Sequence, residues 1–444
     1  MRNIKLLMVV LVSFVFTFSI GVAAQERWTT TWAASALGPY PGGSGSSIQP
    51  DQSLTFPGEK KSANDQSFRM IVMPDVWGKT MRIRLTNAHG TQPVTFDAVY
   101  VGLQYSGSAV IPKTNTPVTF GAKKTVVIAP GAALWSDAIS PAFAREPSSL
   151  TGRKLAVSFH VVGDSGPMTF HADALQTSYI AMPNSGARSG EEGESAFLNP
   201  VISWFFLDAV DMRLKNTRTI VAFGDSITDG RSSTLNGDDR WPNVLARRLH
   251  AVVYGDKFAV VNAGISGNTV VGPTESTPEN PTRGGISAVS RIERDVISLS
   301  NVSAVFWLEG INDFSKRYMA PADAVIDGFK QGVALLRAKI PGVQVYGATV
   351  LSCLGTNLAA YGFPEQEDNR QALNKFIRST NIFDAVVDFD KVTQDPNGPG
   401  LLSAFVPDSS KGGPEGDRLH PNRLGYNAMG NAVDISLFIP LLPK

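Results

Sequence analysis

The stretch TIVAFGDSITDG (Thr219–Gly230) decides how the chain is read. It opens with a five-residue apolar run of the kind buried on both faces of a parallel sheet. Directly behind it a Gly-Asp-Ser corner holds Ser226, and Thr-Asp-Gly closes the segment. A tight turn can use such residues for backbone reasons alone. A reactive serine needs more: a base, an acid to orient that base, and donors for an oxyanion. The question is whether the remaining sequence supplies them.

Further along, similar apolar runs recur at FAVVN, AVFWL, VQVYGATV and FDAVVDF. Between them apolar residues fall at helical spacing: Trp241, Leu245 and Leu249, then Ile286, Val289, Ile292, Val296 and Leu299, then Val325, Phe329, Val333 and Leu336. Strands alternating with helices predict an α/β unit with a parallel sheet covered on both faces. Upstream, from about Gln25 to Asn216, the rhythm is of period two. KTMRIRLTN (Lys79–Asn87), VTFDAVYVGL (Val94–Leu103), KKTVVIAPG, RKLAVSFHVV and MTFHADA alternate polar and apolar residues between turn formers. That pattern predicts an antiparallel β-sandwich or jelly-roll-like domain. The boundary falls near Lys215, dividing the chain into residues 25–215 and 216–444. LGPYPGGSGSS (Leu37–Ser47) reads as a flexible surface loop.

The first residues, MRNIKLLMVVLVSFVFTFSIGVAAQ, combine a basic start, an apolar stretch and small residues before Gln25. They read as a secretory signal peptide, residues 1–24, cut after Ala24, in preference to an uncleaved anchor. The expectation is an exported protein, extracellular or periplasmic, with no later membrane span. The 444 residues carry 43 % hydrophobic and 18 % charged side chains and a net charge of +1. These values describe a globular chain whose overall field favours neither nucleic acid nor an acidic membrane as partner. Cys353, the only cysteine, cannot form an internal disulfide and reads as buried filler. Oligomeric state is not legible.

Ligands of open α/β sheets bind beyond the carboxyl ends of the strands. Here the first strand ends in GDSITDG with Ser226, the second in NAGISGNT with Gly264, Gly267 and Asn268, and the third in LEGINDF with Asn312 and Asp313. A late loop, GDRLHPNRLGY, carries Asp417 and His420. His420 can take the serine proton, and Asp417, three residues earlier, can hold the imidazole tautomer. The backbone N–H groups of Ser226 and Gly267 and the carboxamide of Asn312 supply three oxyanion donors.

GDSITDG, Gly267, Asn312 in GIND and the Asp417-x-x-His420 pair resemble the four blocks of the SGNH (GDSL) hydrolase superfamily. The resemblance extends to Trp241-Pro242 and HPNRLGY. It implies a flavodoxin-like three-layer α/β/α fold without metal or cofactor. It also implies Ser226 as nucleophile, His420 as base, Asp417 as orienting acid, and Ser226, Gly267 and Asn312 as the oxyanion hole. TTTWAAS and RIRLTNAHGTQPVTFDAVYVG resemble the β-rich leader domain of secreted two-domain members, similar to arylesterases and acylhydrolases of xylan-degrading bacteria. The implied activity is a serine esterase working through an acyl-enzyme on a small-molecule or polysaccharide ester, such as acetylated xylan. A broad lipase or arylesterase on small acyl esters is the alternative.

Rival readings are weaker. VVGDSGPMTF offers Ser165, but it joins two alternating runs as a hairpin turn would, and a protease reading would need His89 or His160 in a two-barrel fold. Gly78-Lys79-Thr80 lacks the first glycine of a P-loop, Met73 standing there. His89, His160 and His171 show no zinc spacing. A Mg²⁺ site at Asp225, Asp229 and Asp313 leaves Asp417 and His420 unexplained. A non-catalytic carbohydrate-binding protein, with Trp77 and Trp135 as sugar platforms, leaves the serine set unexplained.

Overall fold

The computed structural model describes residues 25–43, 47–252, 255–412 and 415–442. The expected signal peptide, residues 1–24, lies outside them. No helix among the described residues is long and apolar enough to cross a membrane.

An N-terminal sheet-rich domain comes first. Strands β1 (Arg27–Ala33), β2 (Asn64–Val72), β3 (Met81–Thr86), β4 (Val94–Ser106), β5 (Leu155–Asp164) and β6 (Leu207–Leu214) are its main elements. They enter two antiparallel sheets: β1, β6 and β3 run side by side in one, and β2, β5 and β4 in the other. A third, small sheet pairs Gly38–Pro39 and Trp204–Phe205 with Thr169–His171. Alternation of small polar and large apolar residues drives the pairing, since one face of each strand must leave water. The buried aromatics Phe56, Phe68, Phe96, Phe159, Phe205 and Phe206 pack into a single cluster.

Three readings of this domain are corrected. Leu37–Tyr40 is not a surface loop: Leu37 is buried, Gly38–Pro39 is a strand, and the Tyr40 ring packs on Phe56, Phe170 and Phe205. Apolar side chains inside a Gly/Pro-rich stretch outweigh its turn formers. Ser165 does not sit in a hairpin, because β5 and Thr169–His171 belong to different sheets; its buried hydroxyl caps the Ala63 N–H at 3.0 Å. Trp77 is buried against Phe143, and Arg82 covers the Trp135 ring at 4.3 Å, so neither tryptophan is an open sugar platform.

The chain then changes to a parallel sheet of β7 (Arg218–Gly224), β8 (Phe258–Gly264), β9 (Val302–Leu308), β10 (Gln344–Ala348) and β11 (Ala385–Val387). The order is β8-β7-β9-β10-β11. The winding therefore reverses beside β7, and a crevice opens at the carboxyl ends where β7 and β9 part. Helices α1 (Ser226–Asp229), α2 (Trp241–His250), α3 (Ala288–Ile292), α4 (Ala322–Lys339), α5 (Pro364–Ser379) and α6 (Arg423–Ala432) follow the strands. Along β7, Ile220 and Ala222 enter an apolar cluster with Trp241, Leu245 and Met429. Their neighbours Val221 and Phe223 enter another, with Ile292, Phe329 and Leu373. A strand buried on both sides reads as continuous apolar sequence for this reason. The period expected over Ile286–Leu299 holds through α3, but the chain then widens into a π-turn at Glu293–Ile297.

The two parts share their cores. Ala33 and Ala209 enter the apolar cluster beneath the parallel sheet, while Ala259 and Ile265 enter the N-terminal one. Polar contacts reinforce this: Asp75 accepts from Val260 N at 2.7 Å and meets His250 Nε2 at 3.0 Å. Burial opposes charging the His250 ring, but Asp75, the Gly255 carbonyl and Asp256 outweigh it and push the pKa to about 9. A histidine raised above its unfolded value of about 6.5 stabilises the fold fully below that pH. The contribution is lost as pH rises through 9. Thermal unfolding from pH 6 to 10 is expected to show the wild type losing stability relative to His250→Gln across this window. Parallel curves would refute the pairing.

Candidate active site

The GDSITDG segment folds as a strand end, a cap and one helical turn. Asp225 is the N-cap of α1, its carboxylate accepting from Ile227 N at 2.9 Å. Gly230 closes the turn at φ 101°, donating its N–H to the Ser226 carbonyl. A left-handed residue at this C-cap is most readily glycine. The four-residue helix fixes Ser226 above the end of β7, buried but facing the crevice.

His420 arrives from the far end of the chain. Ser226 Oγ lies 2.7 Å from His420 Nε2, and His420 Nδ1 lies 2.6 Å from Asp417 Oδ2. The other Asp417 oxygen accepts from the backbone N–H groups of Leu419 and His420, at 2.9 and 2.8 Å. Asp417 thus folds its own loop into a frame for the ring, which is how a three-residue spacing becomes a hydrogen bond. With Nδ1 donating to the carboxylate, Nε2 is the acceptor for the serine proton. Burial raises the Asp417 pKa, but His420 and the two amides overcome it and hold the carboxyl well below the ordinary carboxylate range. Asn422 then caps α6 through Leu424 N and Gly425 N, which explains why HPNRLGY follows.

The donor side is equally constrained. Gly267 has φ 85°. Asn312 donates from Nδ2 to the Asn268 carbonyl at 2.8 Å, and its Oδ1 accepts from the Tyr361 hydroxyl at 2.7 Å. The carboxamide is therefore oriented, with its nitrogen towards the Gly267–Asn268 loop. Ser226, Gly267, Asn312, Asp417 and His420 all line one cavity of about 310 Å³. The structure thus brings together every residue singled out for the site. A second cavity of about 540 Å³ shares Arg231, Leu358 and Asp417 with the first, so one cleft continues into the other.

The three aspartates weighed as Mg²⁺ ligands are spent elsewhere. Asp225 caps α1, Asp313 accepts from Val270 N and Val271 N, and Asp229 binds His171 and Ser266. Burial, joined by Glu309 and opposed by those amides, pushes the Asp313 carboxyl up to about 8. Among the described residues no group of three or more His, Cys, Asp or Glu side chains is placed to hold a metal ion. Cys353 is buried, and burial raises its thiol to about 11.

Several supporting residues escaped the sequence reading. Arg291, fully buried, donates to the carbonyls of Gly224 and Ala263 and to Asn268 Oδ1, so one guanidinium ties two strand ends to the Gly267–Asn268 loop. Tyr361 orients Asn312. From the N-terminal domain, His171 Nε2 meets Asp229 Oδ1 at 3.0 Å. Asp173 takes the Ser266 hydroxyl at 2.7 Å, one residue before Gly267. The partner of His171 lies 58 residues away, beyond any local pattern.

A family profile, GDSL-like lipase/acylhydrolase, matches residues 222–428, which contain Ser226, Gly267, Asn312, Asp417 and His420. No curated protein matches the chain. Among solved structures it is similar to the aryl esterase of M. smegmatis, at 18 % identity and TM-score 0.38, over 51 % of this chain and 100 % of that one. It is also similar to a carbohydrate acetylesterase from Sinorhizobium meliloti, at 16 % identity and TM-score 0.36, over 49 % and 96 %. A third likeness is the lipase/acylhydrolase from Enterococcus faecalis, at 20 % identity and TM-score 0.37, over 51 % and 98 %. The profile covers the residues that build the cleft: residues 222–428 are a GDSL-like lipase/acylhydrolase domain, and the chain is a carboxylic ester hydrolase.

Proposed function

We propose that Ser226 is the nucleophile of an acyl-enzyme mechanism and that the substrate is a short acyl ester, acetyl above all, on a carbohydrate such as xylan. The observation that carries the mechanism is the continuous chain Asp417–His420–Ser226, with contacts of 2.6 and 2.7 Å. Ser226 Oγ attacks the ester carbonyl while His420 Nε2 takes its proton, and Asp417 stabilises the imidazolium. The backbone N–H groups of Ser226 and Gly267 and Asn312 Nδ2 receive the oxyanion. Collapse of the tetrahedral intermediate expels the alcohol, which takes its proton from His420. Water, activated by the same ring, then releases the acid and restores the serine.

The lining of the cleft supports a small acyl group and a polar alcohol. Arg231, Arg283, Ser315, Arg317, Tyr318 and Tyr361 surround the serine, and the adjoining cavity adds Ser232, Asn357, Asp408 and Ser410. Leu358, Ala359, Ala360 and Leu419 supply the aliphatic part of this wall, which suits a short acyl group, whereas long acyl chains need an extended apolar channel. We further infer a flavodoxin-like three-layer arrangement for residues 216–444, a β-sandwich for 25–215, and export of the chain through residues 1–24. Acetate release from acetylated xylan, with 4-nitrophenyl esters of graded chain length alongside, tests the substrate. Acetate should be released from the polymer, and kcat/KM should fall by roughly tenfold or more from acetyl to octanoyl, as an aliphatic wall of a few small residues predicts. Faster turnover of octanoyl esters with no acetate from xylan would overturn the substrate reading.

A further inference from the structure

The cavity at Ser226 is lined by three arginines, Arg231, Arg283 and Arg317, and by one carboxylate, Asp417. Asp417 is already committed to His420 and to two amides. Arg231 is tied to Asp173 at 3.3 Å. Among the described residues, no aspartate or glutamate oxygen lies within the 4.0 Å ion-pair distance of Arg283 or Arg317. Both side chains are exposed at the rim. They come from different loops, Arg283 just before the Gly284 that packs on the Gly267 carbonyl, and Arg317 just after the Asn312–Ser315 turn. Their fields meet inside the cavity: burial raises the Tyr361 hydroxyl to about 12, with Asp225 adding to it, while Arg317 and Arg283 both pull the other way. The same two arginines oppose the burial-driven rise at Tyr318.

Like charges held on separate loops around one concave site repel unless a counter-charge joins them. A cleft with low-dielectric walls concentrates their field where the substrate sits. Guanidinium groups match carboxylate geometry, offering paired donors to its two oxygens. We propose that Arg283 and Arg317 form a carboxylate-recognition subsite, so that this enzyme prefers esters bearing a negative charge beside the scissile bond. The proposal rests on the reading of Ser226 as the nucleophile and names the substrate class for that site. The carboxylate belongs either to the alcohol, as in an acetylated uronic-acid residue, or to the acyl group, as in a dicarboxylic hemiester.

Rigid ester pairs distinguish the two sources without intramolecular attack by the carboxylate. 4-Acetoxybenzoate against its methyl ester places the charge on the alcohol side. 4-Nitrophenyl 4-carboxybenzoate against 4-nitrophenyl benzoate places it on the acyl side. Each kcat/KM is divided by the hydroxide-catalysed rate of the same ester. In the full-length enzyme at low salt, one pair should show a preference for the anionic member of roughly five- to tenfold, the size expected of two exposed ion pairs. Raising ionic strength should shrink it, because exposed charges are screened. In the Arg283→Gln/Arg317→Gln double variant the ratio should fall towards one. A wild-type ratio of one or below in both pairs would overturn the proposal, as would a preference that survives the double substitution. Ser226→Ala, run on all four esters, separates the levels. Loss of all turnover with flat ratios removes only the carboxylate subsite, whereas persistent turnover removes the nucleophile assignment beneath it.

Discussion

Ser226→Ala is expected to give a folded protein whose ester turnover has dropped by roughly 10⁴–10⁶-fold, as for a nucleophile whose removal disables a whole triad. The fold should survive because the local structure does not depend on the hydroxyl. Asp225, not Ser226, caps α1, and the Gly230 N–H bonds to the Ser226 carbonyl, which alanine keeps. The serine side chain is hydrogen-bonded to His420 Nε2 at 2.7 Å. Its loss should cost about 1 kcal/mol, the ordinary net worth of a hydrogen bond. Thermal unfolding together with steady-state hydrolysis of 4-nitrophenyl acetate checks both halves of this expectation. A variant that unfolds like the wild type and still turns over at the wild-type rate would require a different nucleophile.

Asp417→Asn should be nearly as damaging, by roughly 10⁴-fold in kcat, although it changes one atom. The magnitude follows the serine-protease triad, in which the same substitution leaves the geometry intact and traps the wrong tautomer. Here Oδ1 accepts from Leu419 N and His420 N, and an asparagine oxygen can keep both bonds. The amide nitrogen would then face His420 Nδ1 and donate to it. That leaves the proton on Nε2, where the ring can no longer accept from Ser226. The acid side carries a second signature. Because the Asp417 carboxyl is held well below the ordinary range, it stays ionised across the acid limb of the rate. The acid limb of kcat/KM should therefore report one proton, with a slope of about one per pH unit. Asp417 also contributes stability that is present above the unfolded value of about 3.9 and lost as pH falls through the lower folded one. An Asp417→Asn enzyme within tenfold of wild type, or an acid limb of slope two, would contradict this arrangement.

What was legible in the sequence was whatever the chain encodes locally. Apolar runs of five to eight residues marked the parallel strands because burial on both faces leaves no room for alternation. The chemistry at their ends could be listed in order because a parallel sheet collects those ends on one edge. Asp417 and His420 were readable because three residues suffice for the carboxylate to reach the ring. What stayed hidden is held by distance. Arg291 looks like one more helical cation, yet it is fully buried and bonds two strand-end carbonyls. Tyr361, in an unremarkable loop, meets Asn312 across 49 positions. Leu37–Tyr40 shows the converse failure: turn-forming composition masked residues that pack on Phe56 and Phe205. Period and punctuation report on neighbours along the chain, and these residues act on neighbours in space.

The contact of His171 with Asp229 and of Asp173 with Ser266 carries a practical consequence. Both acceptors and donors are buried, and half of each pair comes from the leading domain. Cutting the protein back to its family-matched segment would take the imidazole from Asp229 and the carboxylate from Ser266, loosening the loop beside Gly267. Anyone hoping to trim this hydrolase to a minimal unit, or to graft its tail onto another scaffold, would have to carry these two side chains along.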